Sequence, residues 1–124
     1  VYELGVDLSD FETVSWYAVY DSFCIAVVCH NYRLTVGIYN GTAGDALEFH
    51  NNRAFSTKDQ DNDDWGNNCA EVYHGAWWYG HCYRSNLNGR YFNGSTYNGQ
   101  GIKWDGFSAY NSLKTTEMKI RSKV

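Results

Sequence analysis

With 124 residues, 44% of them hydrophobic, the chain is long enough for one domain with a buried core and too apolar to be disordered. A formal net charge of −4 without any basic run speaks against nucleic acid and anionic membrane surfaces as partners. The longest apolar stretch, residues 23–28, is far too short to cross a bilayer, so no membrane insertion is expected.

The opening VYELGVDL reads as a strand and not as a signal peptide, as the first residues of a mature product or of a fragment would. Residues 14–20, 23–28 and 32–39 are short, β-branched and aromatic, and they predict antiparallel strands with hairpin tips at Asp21-Ser22 and His30-Asn31. Residues 44–50 suit one or two helical turns, ended by Asn51-Asn52. From Asp59 to Gly106, Gly, Asn and Asp recur every few residues and no periodicity lasts. So long an irregular stretch needs a staple in a compact domain. Thr115–Ser122 returns to alternation, with Met118 and Ile120 on one face, and predicts a final strand for the first-half sheet. With 12 Gly and no Pro, the turns must rely on residues that tolerate positive φ.

Chemistry concentrates in residues 55–89. Asp59, Asp61, Asp63 and Asp64 crowd together, and a hard cation bound by oxygen is the usual relief of such repulsion. Asp59-Gln60-Asp61-Asn62-Asp63 opens like an EF-hand loop. That motif needs Gly at its sixth position and Glu at its twelfth, where this chain has Asp64 and Ala70. A different calcium loop and a solvated acidic turn both remain open, while zinc suits four carboxylates less well. The four cysteines allow three pairings. Closing Cys69 to Cys82 would make a loop of about 14 residues, stabilising by roughly 3 kcal/mol in the chain-entropy model. Cys24 and Cys29 would lie about 16 Å apart on one strand, too far to bridge unless the chain turns between them.

The 5 Trp and 11 Tyr suit ligand platforms as well as irregular cores. Trp77 and Trp78 read as core, and His50 and His74 as surface or hydrogen-bonded residues. No Ser–His–Asp or Cys–His set has nucleophile spacing, so catalysis is not expected. Two sequons, at Asn40 and Asn93, are compatible with glycosylation and secretion.

FSTKDQDND, GNNCAE, GAWWY, SNLNGRY and TEMKIR, in this order and spacing, resemble the C-terminal part of a fibrinogen-related domain. VDLSDFE, YRLTV and GTAGDALEFHN extend the resemblance over essentially the whole chain. It implies a secreted, extracellular recognition module without enzymatic activity, of the kind found in fibrinogen chains, ficolins, tachylectins, tenascins and angiopoietins. The fold it implies is α+β: an antiparallel sheet with short helices (residues 1–54 plus 114–124) and a loop-rich, disulfide- and calcium-stapled ligand-binding region (residues 55–113). A complete domain of the family also has an N-terminal subdomain with its own disulfide, which these residues do not include.

By the same resemblance, Ca2+ is held by the Asp61 and Asp63 side chains and the Trp65 and Asn67 carbonyls. A Cys69–Cys82 disulfide borders a pocket for acetyl groups formed by Tyr73, His81, Cys82, Tyr83, Tyr97 and Tyr110, and the His81–Cys82 peptide bond is expected cis. Tyr83 stands where acetyl-binding members usually have His. The implied ligand is an acetylated carbohydrate of microbial surfaces, bound weakly at each site and tightly by an oligomer. The alternative is a module that binds an extracellular protein partner, where the acidic loop would favour a positively charged peptide end.

Overall fold

The computed structural model describes residues 1–96, 99–107 and 110–123. Strands β1 (Tyr2–Ser9) and β2 (Ser15–Ile25) form an antiparallel hairpin, and β7 (Thr115–Ser122) adds to the other side of β1. The short strands β3 (Leu34–Val36) and β4 (Tyr39–Gly41) both pair with β2, so the spatial order is β3-β2-β1-β7 with β4 beside β2. Alternation explains the sheet: Leu4, Val6 and Leu8 of β1 face inward with Ala18 and Tyr20 of β2, all nearly solvent-free. Burying each larger aliphatic side chain stabilises the fold by about 1.5–3 kcal/mol.

The hairpin tip expected at Asp21-Ser22 is not there, because β2 runs straight through it. The break lies in the partner chain instead. β4 pairs with Ala18–Tyr20 and β3 with Phe23–Ile25, while Asp21 and Ser22 bond the link between them. The Asp21 carboxylate accepts the Ile38 N–H at 2.7 Å, and the Ser22 carbonyl accepts the Gly37 N–H at 3.0 Å. A Cβ on Gly37 would stand 2.1 Å from the Asp21 carboxylate, so this close approach requires glycine.

The tip near His30-Asn31 does form, as a 3-10 turn at Val28–His30 followed by Asn31 and Tyr32 at φ 52° and 53°. The strand predicted to reach Val28 therefore ends at Ile25. Cys24 on β2 and Cys29 in the turn are exposed and unbridged, so no disulfide staples this tip. β7 has the expected bounds and pairs with β1 without interruption from Tyr2↔Ser122 to Ser9↔Thr115. Met118 packs on the core, whereas Ile120, on this edge strand opposite the buried Leu4, is 56% exposed.

Helix is scarce. Among the described residues there is one α-helix, α1 (Cys69–Tyr73), and the turn expected within residues 44–50 is a 3-10 turn at Glu48–His50. The chain is thus mostly sheet with a few short helices. The small pair β5 (Ser85–Asn86) and β6 (Lys103–Trp104) is the other named sheet among the described residues.

The irregular half is fixed by side chains that reach distant main chain. His50, fully buried, contacts the Trp78 carbonyl through Nδ1 at 2.7 Å, and its Nε2 accepts the Arg84 and Ser85 N–H groups at 3.0 and 3.1 Å. This pattern makes Nδ1 the protonated nitrogen of a neutral ring. Trp78 Nε1 donates to the Tyr32 carbonyl, Trp104 Nε1 to the Gly44 carbonyl, and the Ser85 hydroxyl to the Ala46 carbonyl. Trp77 and Trp78 are buried, as their scaffold role predicts.

Candidate functional site

Asn68 starts α1 as an N-cap: its side-chain oxygen accepts the Glu71 N–H at 3.1 Å, and its amide donates to the Lys58 carbonyl at 2.9 Å. His74, at φ 55°, ends the helix. One helical turn therefore places Cys69 at its start and Tyr73 at its end. Cys69 is bonded to Cys82, with the two Cα atoms 5.5 Å apart. The His81–Cys82 peptide bond is cis.

The structure sorts the four aspartates. Asp59 accepts the Thr57 hydroxyl at 2.7 Å, which holds its carboxyl below the usual range, and Asp64 pairs with Arg53. Asp61 and Asp63 are left facing one another. Asp61 accepts the Asp63 N–H at 3.1 Å, and Asp63 accepts the Trp65 and Cys69 N–H groups, each at 2.9 Å. Burial, reinforced by Asp61, raises the Asp63 carboxyl above its ordinary range against the pull of the Cys69 and Trp65 amides. Among the described residues, no donor bonds to the Trp65 or Asn67 carbonyl. No group of three or more His, Cys, Asp or Glu side chains is placed among them to hold a metal. Two like-charged carboxylates and two main-chain oxygens from the same short segment would be an all-oxygen donor set, which suits a hard cation better than zinc.

Trp65, Tyr73, His81, Cys82 and Tyr83 line an open cleft of about 300 Å3. Tyr73 and Tyr83 meet edge to face, with ring centroids 5.1 Å apart at 86°, and Trp65 contacts His81 at 5.6 Å and 71°. Tyr83 lines the cleft and donates its hydroxyl to the Gly99 carbonyl. Burial, then Tyr73, pushes this phenol up to about 12, so it is a neutral donor at physiological pH. Gly99 has φ 70°, and a Cβ there would stand 2.8 Å from the Tyr83 oxygen. The Cys82 N–H has no acceptor among the described residues.

The aspartate loop is joined to the cleft in three ways. These are the Cys69–Cys82 bond, the Trp65–His81 contact, and the Asp64 N–H donated to the Gly80 carbonyl at 3.0 Å. Four of the six expected ligand-binding residues thus come together: Tyr73, His81, Cys82 and Tyr83. Tyr110 does not line this cleft. It is 71% exposed on a neighbouring loop, where its carbonyl accepts the Thr96 N–H at 2.8 Å. Ser95 and Asn111 pair in an isolated bridge next to it. Tyr97 lies outside the described residues. The Trp65 ring as a wall of the cleft was not foreseen, although an aromatic residue four positions before Cys69 is a visible signal. The anchoring role of His50 had no local signal, since its partners are some 28–35 residues away.

The sequence profile described as "Fibrinogen beta and gamma chains, C-terminal globular domain" matches residues 1–123. Fibrinogen C domain-containing protein 1-A of Xenopus laevis is 48% identical over 128 residues, covering 97% of this chain and 28% of that protein. The human Fibrinogen C domain-containing protein 1 is 47% identical over 127 residues, with the same coverages. The chain therefore spans little more than a quarter of these relatives. The fibrinogen-like globe domain of human ANGPTL6 superposes with a TM-score of 0.94 at 39% identity, over 99% of this chain and 57% of that one. A lamprey fibrin D-dimer, solved with the peptide ligand Gly-His-Arg-Pro-amide, superposes with a TM-score of 0.89 at 32% identity, over 96% of this chain and 44% of its own.

Proposed function

This chain belongs to the fibrinogen C-terminal globular domain family, and from that premise we propose that it is an extracellular, calcium-supported lectin domain for acetylated glycans. The observation that carries the reading is the open aromatic cleft with the Cys82 N–H on its wall, tied to a loop of two facing carboxylates. An acetyl methyl would sit between the rings of Tyr73, Tyr83 and Trp65, while its carbonyl takes the Cys82 N–H. So small a contact gives weak binding, and oligomers would supply avidity of about 10²–10⁴. The role is recognition and not catalysis, and innate recognition of microbial surfaces is a fitting context.

Asp61, Asp63 and the Trp65 and Asn67 carbonyls would hold Ca2+, whose charge relieves the repulsion between the two carboxylates. These residues shape the loop that carries Cys69 and Tyr73, so the ion acts on the ligand through the loop and not by contact. Sequons at the exposed Asn40 and Asn93 suit a secreted glycoprotein.

The test is calorimetric titration with N-acetylglucosamine, free acetate and glucose, in calcium and then in EDTA. Acetyl-selective heat that weakens in EDTA is expected. Unchanged binding in excess EDTA overturns the coupling to calcium, and no heat with folded, calcium-loaded protein overturns the lectin reading. A protein-binding module is the second reading. The peptide in the lamprey neighbour favours it, as does the Tyr83 hydroxyl, which is already committed to Gly99.

A further inference from the structure

Cys24 and Cys29 are the two thiols left over by the Cys69–Cys82 bond, and both are exposed. They cannot bond to each other in this fold. Cys24 lies opposite Thr35 in the β2–β3 pair, and the Ala26 N–H still donates to the Arg33 carbonyl at 2.9 Å. Val27 is extended and its carbonyl takes the His30 and Tyr32 N–H groups, so Cys29 lies in the turn beyond it. Three extended steps set Val27 about 10 Å from Cys24, whereas a disulfide needs Cα atoms roughly 4.4–6.8 Å apart. We propose that this tip is a contact surface for a second copy of the chain, closed by two reciprocal disulfides, Cys24 of each copy to Cys29 of the other. The proposal rests on the extracellular reading of the chain, where thiols are oxidised, and not on the lectin reading.

The surface around the thiols suits this occupant. Val27 and Val28 are 64% and 66% exposed, and Ile25 and Tyr32 beside them are exposed as well. No Asp or Glu occurs between Asp21 and Asp45, in a chain of net charge −4, so two tips meet without carboxylate repulsion. The tip is also fixed in place. The Asn31 carbonyl accepts the Phe55 N–H at 2.8 Å, and the Tyr32 carbonyl holds Trp78 Nε1 at 2.9 Å. A two-fold axis makes every contact between two different positions occur twice, which uses both thiols of each copy. Four apolar side chains fall far short of the roughly 20–30 residues a side in a stable interface, so the bonds and not the contact hold the dimer. The oxidant is a low-molecular-weight disulfide. A cysteine thiolate attacks it and releases one small thiol, and the facing thiolate of the second copy displaces the other, leaving the interchain bond. The protons of the two cysteines end on the two small thiols. The tip shares no residue with the lining of the Tyr73–Cys82 cleft, so the dimer carries two clefts.

The experiment incubates the purified full chain with oxidised glutathione and follows its mass by light scattering and non-reducing electrophoresis. Isotope-labelled and unlabelled chains are mixed, and the linked peptides are identified by mass spectrometry. A dimer that dithiothreitol returns to monomer is expected, with Cys24–Cys29 peptides that join a labelled chain to an unlabelled one. Cys24→Ser and Cys29→Ser, both at exposed positions, each remove both reciprocal bonds and should lower the dimer yield at least fivefold. Val28→Asp should slow dimer formation at least fivefold while its thiols react with a small reagent as before. A monomer with free or glutathione-capped thiols overturns the proposal, as does a Cys24–Cys29 link within one chain or a dimer joined through Cys29 alone. A wild-type rate for Val28→Asp overturns the contact surface. Reduction of Cys69–Cys82 under the same conditions overturns the extracellular reading, and the dimer with it.

Discussion

The two halves of this molecule are held together by different means. In the β1–β2–β7 sheet, main chain bonds to main chain along whole strands, and side chains decide which face is buried. In the region that carries the cleft, single side chains such as His50, Trp78, Trp104 and Asn68 reach distant or flanking main-chain groups, and one disulfide closes the loop. A ladder spreads its stability over many equivalent bonds. A bolted loop depends on a few bonds that cannot replace one another, and in return it can adopt shapes that no ladder allows, such as the turn around Cys82.

This contrast can be broken by experiment. Leu4→Ala, at a fully buried sheet position, should cost about 2–5 kcal/mol in urea unfolding while leaving sugar affinity unchanged in the folded fraction. A large loss of affinity there would mean that sheet and cleft are not separable. Replacing Cys69 and Cys82 together with serine should cost about 3 kcal/mol and also abolish binding, since the cleft loses its anchor.

Acid should act through His50. Burial lowers its pKa to about 4, from an ordinary value near 6.5, because the ring must stay neutral to accept the Arg84 and Ser85 amides. Between those values the unfolded chain binds the extra proton. The stabilisation is therefore complete above about pH 6.5, falls as the pH drops, and is lost by about pH 4, a change of about 3 kcal/mol. His50→Gln, less stable at neutral pH, should show a flatter profile over that window, and an unchanged slope would falsify the assignment. Asn68→Ala should cost about 1 kcal/mol and weaken binding by loosening the helix that ends at Tyr73. Arg121→Ala, which removes an exposed pair with Glu3, should cost at most about 1 kcal/mol and leave affinity alone.

The sequence made the ladder legible because a strand writes its burial into neighbouring residues. Alternation located Thr115–Ser122 to the residue, and VYELGVDL marked β1. It misplaced a tip at Asp21-Ser22 because turn-forming residues can serve a break in the partner strand equally well. The residues of the cleft were legible only through resemblance, although the aromatic block between Cys69 and Cys82 and the aspartates before it pointed to the region. Four of its residues were named that way, yet Tyr110 does not line it and the Trp65 ring went unnoticed. Bonds such as His50 to Ser85 leave no periodic trace, so residue order alone does not encode them visibly.

The pairing of β1 with β7 has a mechanical consequence. It brings Val1 beside Lys123, whose N–H donates to the Val1 carbonyl at 2.8 Å. Tension applied between these two points would peel the strands apart one bond at a time, the weakest way to load a ladder.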